Sequence, residues 1–95
     1  MMNYIIKRDG TREVFDEEKI VNAIRKAMID AESINVVIMK DIAHQIAQLV
    51  VNNQEVEFTV EDIQDMVEES LMTSGAVKAA KKYILYRNIR NEINE

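Results

Sequence analysis

The sequence predicts a small α+β domain: four helices capped by an N-terminal β-hairpin or three-stranded sheet, filling residues 1–95 as one unit. Three observations carry that expectation. Two short apolar runs flank Asp9-Gly10 near the start of the chain, and Asp-Gly supplies the positive φ values of a tight hairpin turn. Four later segments repeat apolar residues at spacings of three and four, the period of an amphipathic helix. The chain has no Pro and only two Gly, Gly10 and Gly75, both where a turn is needed, and 95 residues support one modest core rather than two.

Tyr4 to Arg8 and Thr11 to Phe15 read as the two strands. A two-residue Asp9-Gly10 turn sets Ile5 opposite Val14, Tyr4 opposite Phe15, Lys7 beside Arg12 and Ile6 opposite Glu13. A three-residue loop with a bulge is the alternative, and it shifts every pair. Asp16 is a good N-cap, with Glu17 and Glu18 in the first turn where the helix dipole favours anions. The first helix then carries a stripe of Ile20, Ala23, Ile24, Ala27, Met28 and Ala31, with Lys19 and Lys26 on its flank.

A second helix runs from about Val36 to Val51, its stripe being Met39, Ile42, Ala43, Ile46, Ala47 and Val50. Asn52 to Gln54 break it. Glu55 to Thr59 alternate acid and apolar residues and suit a third strand. Thr59 looks like the N-cap of a third helix, Thr-x-x-Asp being a relative of the capping box, and Ile63, Val67, Ser70 and Leu71 form its buried face. Gly75 is placed to terminate it, and a last helix follows from about Ala76 to Ile93.

Composition limits function. There is no Cys, which removes zinc-finger, disulfide and thiol chemistry. No secretory h-region or transmembrane run occurs, so a cytoplasmic protein without membrane partners is expected. The net charge of −5 makes nucleic acid an unlikely partner. Charge is unevenly spread. Glu55 to Glu69 hold seven acids and no base, and Ala76 to Arg90 hold Lys78, Lys81, Lys82, Arg87 and Arg90 and no acid. These are either solvated faces that attract each other or, in part, bases converging on an anion.

Catalysis finds no support. His44 is the one His and reads as structural or solvent-facing. No nucleophile elbow, His-Glu-x-x-His or Walker loop is present. Glu17-Glu18 and Glu68-Glu69 are adjacent on helices and diverge. The domain is not expected to be an enzyme by itself. In the hairpin, Lys7 and Arg8 alternate faces, and Gly10 would let a ligand approach the backbone closely.

The stretch "IIKRDGTREVFDEEKIVNAIRKAM", followed after a gap by "FTVEDIQDMVEESLMTSGAVKAAKKYILYRN", resembles an ATP-cone domain, as found at the N-termini of ribonucleotide reductase large subunits and in their zinc-ribbon repressor. The resemblance spans almost the whole chain. It rests on four motifs in the family's order: Lys-Arg-Asp-Gly in the hairpin, Phe-Asp-x-x-Lys-Ile at the first helix, Ile-Gln-Asp-x-Val-Glu in the third, and Ala-x-x-Tyr-Ile-Leu-Tyr-Arg in the last.

The resemblance implies that ATP or dATP binds as an allosteric effector, with Mg²⁺ as the triphosphate's companion. It carries over to Lys7, Arg8, Gly10, Glu13, Lys19 and Ile20, to Thr59 and Ile63, and to Tyr86 and Arg87. On that basis Lys7, Arg8, Lys19 and Arg87 are expected to meet triphosphate oxygens. Glu13 would accept from a sugar hydroxyl or the adenine amino group, or hold a base in place. Ile20, Ile63 and Val14 would line an adenine slot or simply pack in the core.

The implied partner is a ribonucleotide reductase catalytic domain or subunit, with a homo-oligomer as a further partner. The chain end resembles the point where an anaerobic-type reductase continues, so a fragment or a free-standing cone is expected; the repressor would need four metal-binding Cys ahead of the cone. Two rival functions stand beside this. One is a helical self-association module without nucleotide, using Met28, Met39 and Met66 as adaptable contacts. The other is the cone of a nucleic-acid-linked transcriptional regulator that sets its basic last helix against phosphate.

Overall fold

Phe15 and Asp16 make the junction between hairpin and helices. The Asp16 carboxylate accepts from the Glu18 N–H at 3.0 Å and satisfies one of the orphan donors that open a helix. Phe15, just before it, packs on the core. The structure, a computed structural model, describes the backbone of residues 3–94 and the side chains of residues 3–89; Arg90 and Ile93, noted above, lie outside the described side chains. Its elements are β1 (Tyr4–Ile6), β2 (Arg12–Val14), α1 (Glu17–Asp30), α2 (Val36–Asn52), α3 (Val60–Thr73) and α4 (Val77–Asn94).

The apolar stripes become the core. Ile20, Ile24, Ala27 and Met28 of α1 are buried, joined by Val21, which lies beside the expected stripe. All six stripe residues of α2 are buried, as are Ile63, Val67 and Leu71 of α3. Ala79, Ala80 and Tyr83 add α4. Helix α1 packs on α2 and α4, and α3 packs on the same two. Met28 and Met39 are sealed in this core and Met66 is half-buried. Met28 and Met39 fill gaps between helices and offer no surface to a second copy, so they do not serve the self-association reading; Met66 keeps part of its surface.

The hairpin differs from the two-residue turn in register. The pairs are Tyr4 with Val14, Ile5 with Glu13 and Ile6 with Arg12. Arg8, Asp9 and Gly10 form a three-residue loop, closed by Lys7 N–H to Thr11 C=O at 2.8 Å and Gly10 N–H to Lys7 C=O at 2.9 Å. The Asp9 side chain accepts from both the Thr11 N–H at 3.0 Å and the Thr11 hydroxyl at 2.6 Å. Those bonds favour a turn continued by one left-handed residue, Gly10 at φ +85°, over the two-residue form. A one-residue slip moves side chains to the opposite face. Lys7 and Glu13 therefore share the face of Ile5 and Phe15, the two hairpin residues that pack on the core. The two-residue register would have put Lys7 and Glu13 on opposite sides.

Glu55 to Thr59 do not form the expected third strand. Ile6 N–H donates to Phe58 C=O at 2.9 Å, and a single parallel bridge joins Ile6 to Thr59. The ladder stops there because Thr59 is already committed to α3. Its hydroxyl accepts from the Asp62 N–H at 3.1 Å, and its own N–H donates to the Asp62 carboxylate at 2.9 Å. The capping box is complete, and it takes the backbone donor a strand would need.

Two helix ends adopt left-handed residues. Gly75 at φ +82° ends α3, with Ala76 N–H reaching Leu71 C=O at 2.9 Å and Gly75 N–H reaching Met72 C=O at 3.1 Å, a Schellman closure. α1 ends the same way through Ser33 N–H to Met28 C=O at 3.0 Å and Glu32 N–H to Ile29 C=O at 3.0 Å. There the left-handed residue is Glu32, at φ 53°. Among the described residues no helix is long and apolar enough to cross a membrane.

Two of the left-handed positions, Gly10 and Glu32, predict opposite outcomes. Gly10→Val puts a β-branched residue at positive φ and should cost about 1–3 kcal/mol, although nothing lies within 4 Å of a Cβ there. Glu32→Gly relieves left-handed strain, partly offset by the greater unfolded-state entropy of Gly, and should gain about 0.5–1 kcal/mol. Thermal melts should show Tm falling for the first and rising by about 2–6 °C for the second.

Candidate functional site

The hairpin register, the α1 cap and the α3 capping box bring three segments to one corner. Glu13, on the helix-facing side of β2, pairs with Lys19 in the first turn of α1. Lys7 lies on that same side. Thr59 stands beside Ile6 through the parallel bridge; its hydroxyl accepts within the cap, which leaves its proton for another acceptor. At the hairpin tip Arg8 Nε donates to Glu61 Oε1 at 2.6 Å, reaching the first turn of α3. Glu13 and Lys19 thus meet where the hairpin joins α1, Arg8 reaches the first turn of α3, and Lys7, Gly10 and Thr59 lie on the same hairpin and cap segments, by two helix N-termini whose dipoles favour anions.

The other four expected residues sit elsewhere. Ile20 and Ile63 are core residues. Arg87 Nη1 donates to Asp65 at 2.7 Å and to Glu68 at 2.8 Å. Its side chain is 15% exposed, so burial opposes its charge, but the two carboxylates outweigh that and hold its pKa above the ordinary arginine value. With two anions on one cation, the clasp carries a net formal charge of −1. The Tyr86 ring lies under Lys26 Nζ, 4.8 Å from its centroid, a cation–π contact between α4 and α1. Tyr86 Oη and Gln64 Oε1 are buried atoms without a hydrogen-bond partner.

Glu61, Asp65 and Glu68 recur at helical spacing, and so form one acidic face of α3. This face takes Arg8 from the hairpin and Arg87 from α4. Part of the charge segregation in the sequence is therefore an attraction between two packed helices. Glu61 was not singled out from the sequence. The signal available was its position two residues after a capping Thr, since first-turn acids are common and this one is distinguished by its partner 53 residues away.

Grooves open elsewhere among the described residues. One of about 580 Å³ lies between α1 and α2 and is lined by Glu17, Glu18, Val21, Arg25, Lys40, Asp41 and His44. Another of about 230 Å³ runs along the hairpin from Asn3, Tyr4, Ile6 and Arg12 to Val50 and Phe58. None of the ten expected residues lines either. His44 is solvent-facing, with Nδ1 4.0 Å from Glu17. Asp9, fully exposed, is held below the usual carboxylate range by the Thr11 hydroxyl and N–H, with desolvation opposing and Lys7 assisting.

A basic hairpin set on the N-terminal ends of two helices in a four-helix unit makes a small α+β domain. The chain belongs to the ATP cone domain family, whose family model matches residues 3–92. It is 43% identical to the vitamin B12-dependent ribonucleoside-diphosphate reductase of Thermoplasma acidophilum over the whole chain, which spans 13% of that protein. Against the anaerobic ribonucleoside-triphosphate reductase of Haemophilus influenzae it is 38% identical, again over the whole chain and 14% of that protein. The transcriptional repressor NrdR of Thermoanaerobacter sp. matches at 29% over 92% of this chain and 54% of the repressor. The last likeness removes the ground for treating nucleic acid as an unlikely partner on net charge alone.

The Arg87 clasp predicts a structural role. Arg87→Ala leaves Asp65 and Glu68 facing each other without their cation and should destabilise the fold by about 1.5–3 kcal/mol. Urea melts should show the loss as a lower midpoint with an unchanged slope.

Proposed function

We propose that this chain is an allosteric nucleotide-binding module. ATP or dATP binds at the corner of hairpin, α1 and α3, and occupancy regulates the activity or oligomeric state of an attached or partner ribonucleotide reductase. One observation carries the reading: the three-residue loop gives Lys7 and Glu13 the same helix-facing side, beside Lys19 and the Thr59 cap. In this reading cationic and polar donors on three separate segments would converge on an extended polyanion.

In this reading Lys7, Arg8 and Lys19 take phosphate oxygens, the Thr59 hydroxyl donates to another, and Gly10 allows close approach to the loop. Glu13 orients Lys19 or accepts from the nucleoside. Arg87 acts indirectly, bracing α3 against α4, and Ile20 and Ile63 support the floor from within the core. Among the described residues no group of three or more His, Asp or Glu could hold a metal, so Mg²⁺ would arrive bound to phosphate oxygens and water. The module performs no chemistry of its own, and a cytoplasmic setting suits a nucleotide effector. The likeness to a transcriptional repressor supports a second setting, in which the same nucleotide response acts on a DNA-bound assembly.

ATP and dATP differ by one sugar hydroxyl, worth about 0.5–1.5 kcal/mol net, so one site would separate them by about tenfold or less. A nearly complete two-state switch needs about 5.5 kcal/mol of differential binding. The large response would therefore come from assembly, where several sites act together. Calorimetry with ATP, dATP and GTP tests the reading directly. Saturable adenine-nucleotide binding is expected, with Lys7→Ala weakening ATP by about 1.5–3 kcal/mol at unchanged Tm; no saturable binding of ATP or dATP would overturn it.

A further inference from the structure

Arg8 is a hairpin-tip cation and already has an anion. Its Nε donates to Glu61 Oε1 at 2.6 Å, with the two side chains 40% and 35% exposed. Glu61 lies in the first turn of α3, two residues beyond Thr59, the residue bridged to β1. A carboxylate here stands where a bound phosphate would be drawn, against an arginine fork and at a helix N-terminus. We infer that Glu61 is an internal competitor for the effector's phosphates, occupying Arg8 while the site is empty and yielding it when a triphosphate binds. This rests on the nucleotide reading above and names the residue that sets its affinity.

A guanidinium presents the same fork to a carboxylate and to a phosphate. A triphosphate that reaches Arg8 must either displace the Glu61 carboxylate or sit beside it, and the second arrangement sets like charges together. Both outcomes subtract from binding. The ion pair is partly exposed, so the subtraction is modest, and it is easily reversed by a ligand with several negative charges. Glu61 would thus restrain weakly charged anions at this corner while a polyanion still binds. The rest of the α3 acidic face does not share this role, because Asp65 and Glu68 are engaged with Arg87.

The test is a double-mutant cycle read by calorimetry at fixed ionic strength and Mg²⁺, on the chain itself, Glu61→Gln, Arg8→Gln and the double variant. ATP is the probe and adenosine, lacking phosphate, is the control. Glu61→Gln should tighten ATP by up to about fivefold, the equivalent of about 1 kcal/mol, leave adenosine unaffected, and lose its gain when Arg8 is already Gln. A merely structural Glu61 would instead lower Tm and leave ATP affinity unchanged or weaker. Normal ATP binding with no gain in Glu61→Gln, or a gain that persists without Arg8, overturns this inference alone. Absence of ATP binding in both the unaltered chain and Glu61→Gln overturns the nucleotide reading together with it.

Discussion

The commitment of Thr59 to two structures at once is the constraint from which the site follows. Its backbone bridges to Ile6, which fixes the hairpin against the bundle. Its side chain and N–H close the capping box with Asp62, which fixes where α3 begins. Spacings of four and three put Glu61, Asp65 and Glu68 on one face, and that starting point decides where the face points. Move the cap by one residue and the face rotates by about 100°, taking Glu61 from Arg8 and the other two from Arg87. A short polar motif thereby determines which cations are neutralised.

Electrostatics in this domain has two tiers. The Arg87 side chain is largely enclosed and holds α4 to α3 through two carboxylates. The Arg8 and Lys19 pairs are partly exposed, in a setting where single ion pairs contribute little to stability. Weak pairs suit a site that must open to an incoming anion, and strong ones suit the frame that stays put. The same residue type, arginine, serves both ends of this range, and burial decides which.

Much of the fold was legible because periodicity reports burial. The α2 stripe, the Asp16 and Thr59 caps and the Gly75 terminus follow from spacing and side-chain chemistry alone. The hairpin register was not legible, since Asp-Gly serves both a two-residue turn and the last two positions of a three-residue loop; the choice rested on Thr11, which ties its N–H and hydroxyl to Asp9. The third strand failed for a related reason, because alternation at Glu55 to Phe58 could not reveal that Thr59 would leave the ladder. Asn35, which caps α2 through the Ile38 N–H, gave a signal that went unused beside the stronger apolar stripe. Of the site, the motif residues of hairpin and α1 were readable, but the ion-pair partners of Arg8 and Arg87 depend on tertiary contacts 53 and 19 to 22 residues away.

The Ile6 N–H to Phe58 C=O bond, with the bridge to Thr59, ties the hairpin backbone to the segment that leads into α3. The helices, by contrast, share a continuous sealed core. Such a structure has two cooperative units of unequal stability. Its hairpin amides would exchange with solvent through a local opening that leaves the bundle intact, whereas amides deep in α1 and α2 would exchange only through global unfolding. The hairpin, held by few backbone bonds, by Ile5 and Phe15 on the core and by the Arg8–Glu61 pair, would open more often than the bundle unfolds, a hierarchy of motion set by where the backbone contacts are sparse.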